Sequence, residues 1–385
     1  MEQSREKRQS NFELLRILAM LMIVASHYAS HGIEKQLVEG EAWQIWLGGS
    51  GFARFFTCFL NSGGEVGVAL LFAISGYFQI RRDRFSPKKL ALSCLYYSVF
   101  SLAVLGIVSL LGIGVPYMET RNLIPFLLRS FFMPLTSTLW WFVPVYLFLM
   151  LFSPVINGFL RKLNQKGFGL FLLVAWGIWY GLANLVGTEF AQLQKALFFY
   201  SLGAFIRLYL SPAPKRRGLY GLMMLAGWAG SAFCFYRLGM LSAGTGGLKT
   251  EMLARGFSSL NSMLMVPCLI WGAFRLAQSW RMGYHGWINR LAASTFGIYL
   301  IHDSLVIRPL LWYRWVPVAV SQYPSPLFPL WAILTILGIF ILCALLDQLR
   351  LILFEPAAGA WADRLAARCR QRFMNPEKCV KEEEP

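Results

Sequence analysis

Arg16, His27 and His31 fall in one apolar stretch, Glu13–Gly32 (ELLRILAMLMIVASHYASHG), whose core from Leu14 to Ala29 is long enough to cross most of a bilayer as a helix. Ionisable side chains are costly in lipid, so their presence in such a stretch is a functional signal. At 100° per residue Arg16 and His27 lie only about 20° apart around the helix, with His31 one further turn along the same stripe. A rise of 1.5 Å per residue separates Arg16 from His27 by roughly 16 Å, placing the arginine near one membrane surface and the histidine well into the opposite half. Imidazole titrates near neutrality and can take a proton from a hydroxyl, so His27 is the candidate general base; its structural alternative is a hydrogen bond to a neighbouring helix. His31 sits nearer the surface, where channel lining and plain packing are both open. Arg16 is either a basic anchor at the far end of a pathway or an arginine snorkelling to headgroups.

Four further groups invite chemistry. Glu65 opens a second apolar run, EVGVALLFAISGYFQIRR, at roughly the depth of His27, and is one candidate to orient its imidazole. That run ends at Arg81 and Arg82, which suit a phosphate but are equally explained as insertion signals. Trp140 and Trp141, in STLWWFVPVY, are amphipathic rings that can stack on a sugar face or anchor at the interface. His302 and Asp303, in STFGIYLIHDSL, are adjacent polar groups expected near the middle of a ninth helix and facing the bundle interior, with Asp303 free to pair with Arg308. The seven cysteines show no CxxC or zinc-like spacing, so no metal centre is expected.

Positioning these groups falls to membrane helices. The 385 residues are 57% hydrophobic and 14% charged, with a mean hydropathy of +0.52, which excludes both a soluble globular domain and a disordered chain. Apolar runs predict about ten spans: the first, then Glu65–Ile80, Leu90–Ile113, Leu139–Ile156, Phe168–Val186, Ala191–Leu210, Leu219–Leu241, Phe257–Ala277, Ala293–Trp312 and Phe328–Leu349. The segment Ile33–Gly64 reads as a loop or re-entrant turn. A net charge of +17 would suggest nucleic acid in a soluble protein. Here 26 of the 36 Lys and Arg residues fall on one side when the N-terminus is placed in the cytoplasm, so the positive-inside rule accounts for the excess and no nucleic acid is expected. The predicted fold is an all-α polytopic bundle with both termini cytoplasmic, residues 1–350 forming the transmembrane domain and 351–385 a short charged tail. The N-terminal run reads as a retained signal anchor, because cleavage would discard Arg16 and His27.

The combination of FELLRILAMLMIVASHYASHG, LLFAISGYFQIRR, the LWWF segment and STFGIYLIHDSL resembles the acyltransferase-3 family of integral-membrane acyltransferases, which includes many bacterial polysaccharide O-acetyltransferases. The resemblance spans essentially the whole chain. It implies that His27 is catalytic, that the basic residues after the second helix matter for activity, and that the donor is cytoplasmic acyl-CoA. Many members carry Trp-Ser-Leu followed by a Glu where this chain has WWFVPVY, so that acidic residue is not carried over. No appended extracytoplasmic hydrolase-like domain is expected.

The expectation is therefore a multi-pass enzyme of the bacterial cytoplasmic membrane, with no bound cofactor, that moves an acyl group, acetyl first, from acyl-CoA to a hydroxyl of an exported or lipid-linked glycan. Arg16, Arg81 and Arg82 would hold the donor, and His31, Trp140, Trp141, His302 and Asp303 would line the acceptor path. The rival is a proton-coupled transporter or flippase of a lipid-linked sugar, which paired broken helices in two similar halves would favour; the sequence shows none.

Overall fold

Backbone groups in lipid must satisfy one another, and a single chain of long apolar runs does so as helices. A computed structural model describes residues 9–37, 43–115, 140–182, 191–242, 248–280, 282–316 and 322–374, and among these there are helices and no strands. In chain order they are α1 (Ser10–Ala29), α2 (Gly51–Gln79), α3 (Lys88–Leu110), α4 (Phe142–Leu160), α5 (Gln165–Val174), α6 (Ala191–Tyr209), α7 (Arg217–Ser242), α8 (Leu248–Leu260), α9 (Val266–Ser279), α10 (Gly286–Ala293), α11 (Thr295–His302), α12 (Ile307–Leu310), α13 (Phe328–Leu353) and α14 (Glu355–Met374). Short helical pieces at Lys35–Leu37 and Trp43–Gly48 lie between α1 and α2.

Seven helical stretches among the described residues are long and apolar enough to cross a membrane. The other three expected spans are helical but different in kind. α5 passes into π-helical turns over Ala175–Leu182, where its described part ends. α6 carries Gln192, Gln194, Lys195 and Arg207 among its apolar residues. The ninth, Ala293–Trp312, is broken into α11, α12 and a π-helical turn, Leu311–Trp315.

Helix α2 is the centre of the bundle and packs against α1, α6, α7 and α9. Small residues make the contacts close: a Cβ on Gly67 would strike the Ala19 carbonyl, one on Gly76 the Tyr200 carbonyl, and one on Gly203 the Ala73 carbonyl. Outer helices bury one side and leave the other apolar and exposed. On α13 the residues Ile336, Phe340 and Ala344 are buried while Leu337, Ile341 and Leu345 are exposed, the reverse of a water-facing helix and the expected dress of one facing lipid.

Two placements differ from the sequence reading. α2 begins at Gly51, where Ser50 Oγ accepts from the Ala53 N–H at 3.0 Å, so much of the expected loop is helix and Glu65 lies about four turns into α2 instead of at its start. Gly63 and Gly64 are tolerated mid-helix because α1 needs the space they leave against Met22 and Ser26. His302 is the last residue of α11 and Asp303 follows it at the helix end, not the middle. The chain restarts where Ser304 Oγ accepts from the Ile307 N–H at 3.1 Å, with Pro309 inside the first turn of α12, where no N–H is needed.

Candidate functional site

A cavity of about 1340 Å³ runs along the inner face of α1, with Arg16, His27 and His31 all on its wall. The single helical stripe read from the sequence is therefore one wall of a continuous space, larger than the roughly 300–1,000 Å³ of an ordinary small-molecule site. At the Arg16 end the lining includes Lys88 and Lys89 at the start of α3, and Arg350 at the end of α13. At the His27 end it includes Glu65, Lys195, Asp303 and Arg308.

His27 sits one turn before a π-helical bulge, Ser30–Glu34, that carries His31; their ring centroids are 5.0 Å apart. Its Nδ1 lies 2.9 Å from Nε2 of His302, a fully buried side chain 275 positions away on α11. The other nitrogen of His302, Nδ1, lies 2.6 Å from the Ile298 carbonyl. A carbonyl can only accept, so His302 Nδ1 carries a proton and, in the neutral ring, Nε2 accepts. His27 Nδ1 must then donate to it, which leaves the His27 lone pair on Nε2. The helix end that stops α11 at His302 thus assigns the basic nitrogen of a ring on α1.

Asp303 Oδ1 lies 3.8 Å from His27 Nδ1 and 3.4 Å from Arg308 Nη1. Arg308 Nη2 donates to His31 Nδ1 at 3.2 Å, so neutral His31 keeps its proton on Nε2. Ligand atoms of His27, His31 and Asp303 come within 4.8 Å of one another, the spacing of a metal triad. Arg308 already contacts two of those three groups, Asp303 and His31, so a metal ion there would first have to displace its guanidinium.

The other expected site residues divide. Arg16 is ion-paired to Glu13 at 2.7 Å and faces the cavity. Trp141 lines the cavity, but Trp140 is fully buried in the packed core and does not; residues 137–139 of the same motif lie outside the described ones. Glu65, a candidate to orient His27, is engaged elsewhere: it pairs with Lys195 at 3.0 Å and accepts from Asn261 at 2.7 Å and Ser262 at 3.0 Å. Its place four turns into α2 turns it toward α6 and the π-helical turn Asn261–Met265 that follows α8, and the carboxylate facing His27 is Asp303. Arg81 and Arg82 are exposed on the turn after α2, whose backbone is held by Asn157, donating to Gln79 and Arg82 carbonyls at 2.8 and 3.2 Å. Their side chains are not on the cavity wall. Lys88 and Lys89, which the sequence did not single out by position, are on it, as are Lys195, Arg308 and Arg350. The HDS triplet marked His302 as polar in lipid, but nothing in the sequence marked it as the partner of His27.

The sequence profile of the acyltransferase-3 family, described as an acyltransferase domain, matches residues 9–348 of this chain. No match was found among curated proteins or among solved structures.

Proposed function

Because the chain belongs to the acyltransferase-3 family and is a membrane acyltransferase, we propose that it transfers an acyl group, acetyl in the first instance, from acyl-CoA to a hydroxyl of an exported or lipid-linked glycan. The observation that carries this reading is the cavity joining a basic end at Arg16, Lys88, Lys89 and Arg350 to a hydrogen-bonded His27 at the other. The basic end faces the cytoplasm of a bacterium, in keeping with the 26 basic residues assigned to that side. The roughly 16 Å from Arg16 to His27 is on the order of an extended pantetheine arm, so a thioester can reach His27 while its phosphates stay at the basic end.

His27 Nε2 takes the proton of the acceptor hydroxyl as its oxygen attacks the thioester carbonyl. The resulting oxyanion has His31 Nε2–H and Arg308 at hand as donors. When the carbon–sulfur bond breaks, the thiolate takes the proton back from His27, releasing CoA and the acylated glycan. His302 holds Nδ1 of His27 throughout, so the ring neither turns nor changes tautomer between the two proton transfers. Trp141, Phe142 and Tyr146 offer aromatic faces for a sugar along the way.

Mass spectrometry of envelope glycans from cells with and without this protein tests the reading. An acyl mass lost from one glycan and restored by the wild-type chain is expected. Identical acylation in both would overturn it.

A further inference from the structure

Helix α14 lies beyond residue 348, outside the match to the acyltransferase domain, yet it helps to wall the cavity. Pro356, Gly359, Ala360 and Asp363, spaced as one face of a helix, line it at the Arg16 end. On that face Asp363 pairs with Lys88 at 2.6 Å, and Glu355 bridges Lys89 at 3.3 Å and Arg350 at 3.2 Å. Behind them Arg350 is held by Asp347 at 2.8 Å, itself bound by the Tyr97 hydroxyl at 2.6 Å. Three cations at the mouth are therefore met by three carboxylates, two of them from α14.

The two layers differ in how firmly they are held. Asp347 is fully buried, whereas each outer pair has one largely exposed partner: Asp363, 73% exposed, against Lys88 at 32%, and Lys89, 85% exposed, against Glu355 at 24%. Exposed pairs are screened and weak, and a ligand carrying several negative charges competes with them well. A monoanion could replace only one of the two acids; a polyphosphate can meet both lysines at once.

We infer that Lys88, Lys89 and Arg350 form a binding site for a polyphosphate anion at this mouth, in which Asp363 and Glu355 of α14 stand as counter-anions that the incoming ligand displaces. The inference rests on the acyl-CoA reading for the identity of that ligand, and on the charges alone for the site. The C-terminal helix then sets the donor affinity by competing for the same lysines.

Isothermal titration of the full-length protein in nanodiscs, with CoA and separately with inorganic pyrophosphate, tests it. Asp363→Asn removes one counter-anion from an exposed position and should tighten both ligands by about 3- to 10-fold. Lys88→Gln with Lys89→Gln should weaken both by about 10-fold or more, and adding Asp363→Asn to that pair should gain nothing. CoA binding that is the same in all these variants would overturn the site and leave the donor reading standing. Pyrophosphate following the pattern while CoA fails to bind the wild type would keep the site and remove the donor reading. Loss with the lysine variants but no gain with Asp363→Asn would overturn the competing role of α14, and binding of neither ligand would overturn the proposal.

Discussion

At the His27 end of the cavity, polar groups are handed from one fixed element to the next: a carbonyl within α11 orders His302, His302 orders His27, and Arg308 orders both Asp303 and His31. At the Arg16 end each outer pair has one partner largely in solvent, Asp363 or Lys89, while Asp347, Arg350 and the Glu13 that pairs with Arg16 are buried. The first arrangement suits a step that needs one nitrogen in one protonation state. The second suits a ligand that must arrive and leave, because each of its contacts has a replacement waiting in the protein.

The contrast breaks most sharply at His27. A positioned base contributes about 10²–10⁴-fold, so His27→Gln, which keeps a hydrogen-bonding group without a usable base, should lower acyl transfer by that factor and leave CoA titration unchanged. Weakened CoA binding in that variant would mean the two ends are not separate. Next in size, His302→Phe leaves the His27 N–H without its acceptor and should lower kcat by about 10²-fold with little change in KM, less than the ~10⁴-fold reached when the orienting member of a catalytic triad is lost. His302→Gln, whose side-chain oxygen can accept, should restore part of the rate; a merely structural role would show no such split between the two variants.

The same contrast can be probed by stability. Removing one member of a buried ion pair costs about 3–5 kcal/mol, and Glu355 still compensates Arg350, so Asp347→Leu should lower unfolding stability by about 3 kcal/mol. Thermal unfolding in detergent reads this directly, and a neutral Asp347→Leu would place the inner layer with the exchangeable one. The smallest effect belongs to Arg81 and Arg82. With their side chains exposed and off the cavity wall, replacing both by Lys keeps the charge and should change CoA affinity by about twofold or less. A larger loss would extend the binding end outward to that turn.

How far the site could be read in advance follows from the range of each interaction. Arg16, His27 and His31 share a wall because helical periodicity alone sets their relation, and that much is written in the residues between them. The all-α membrane fold is legible for the same reason: lipid leaves long apolar runs one conformation. Glu65 falls inside α2 and not at its start because the segment before it, which reads as a loop, is helical where α1 packs closely against Gly63 and Gly64, an effect that resides in the partner helix. The His27–His302 contact joins residues 275 positions apart and depends on where α11 stops, which Ser304 and Pro309 decide only in the folded bundle. Charge counting could not tell Arg81 and Arg82, which are off the cavity wall, from Lys88 and Lys89, which line it.

The reciprocal contacts at Gly76 and Gly203 bear on which walls of the cavity can move. Backbone lies against backbone at both places, so α2 and α6 cannot slide by even one residue, about 1.5 Å, without driving a neighbouring side chain into a carbonyl. Helices pinned in this way keep that part of the bundle fixed. Any closing of the passage has to come from its other walls, α3, α11 and α14, which line the cavity.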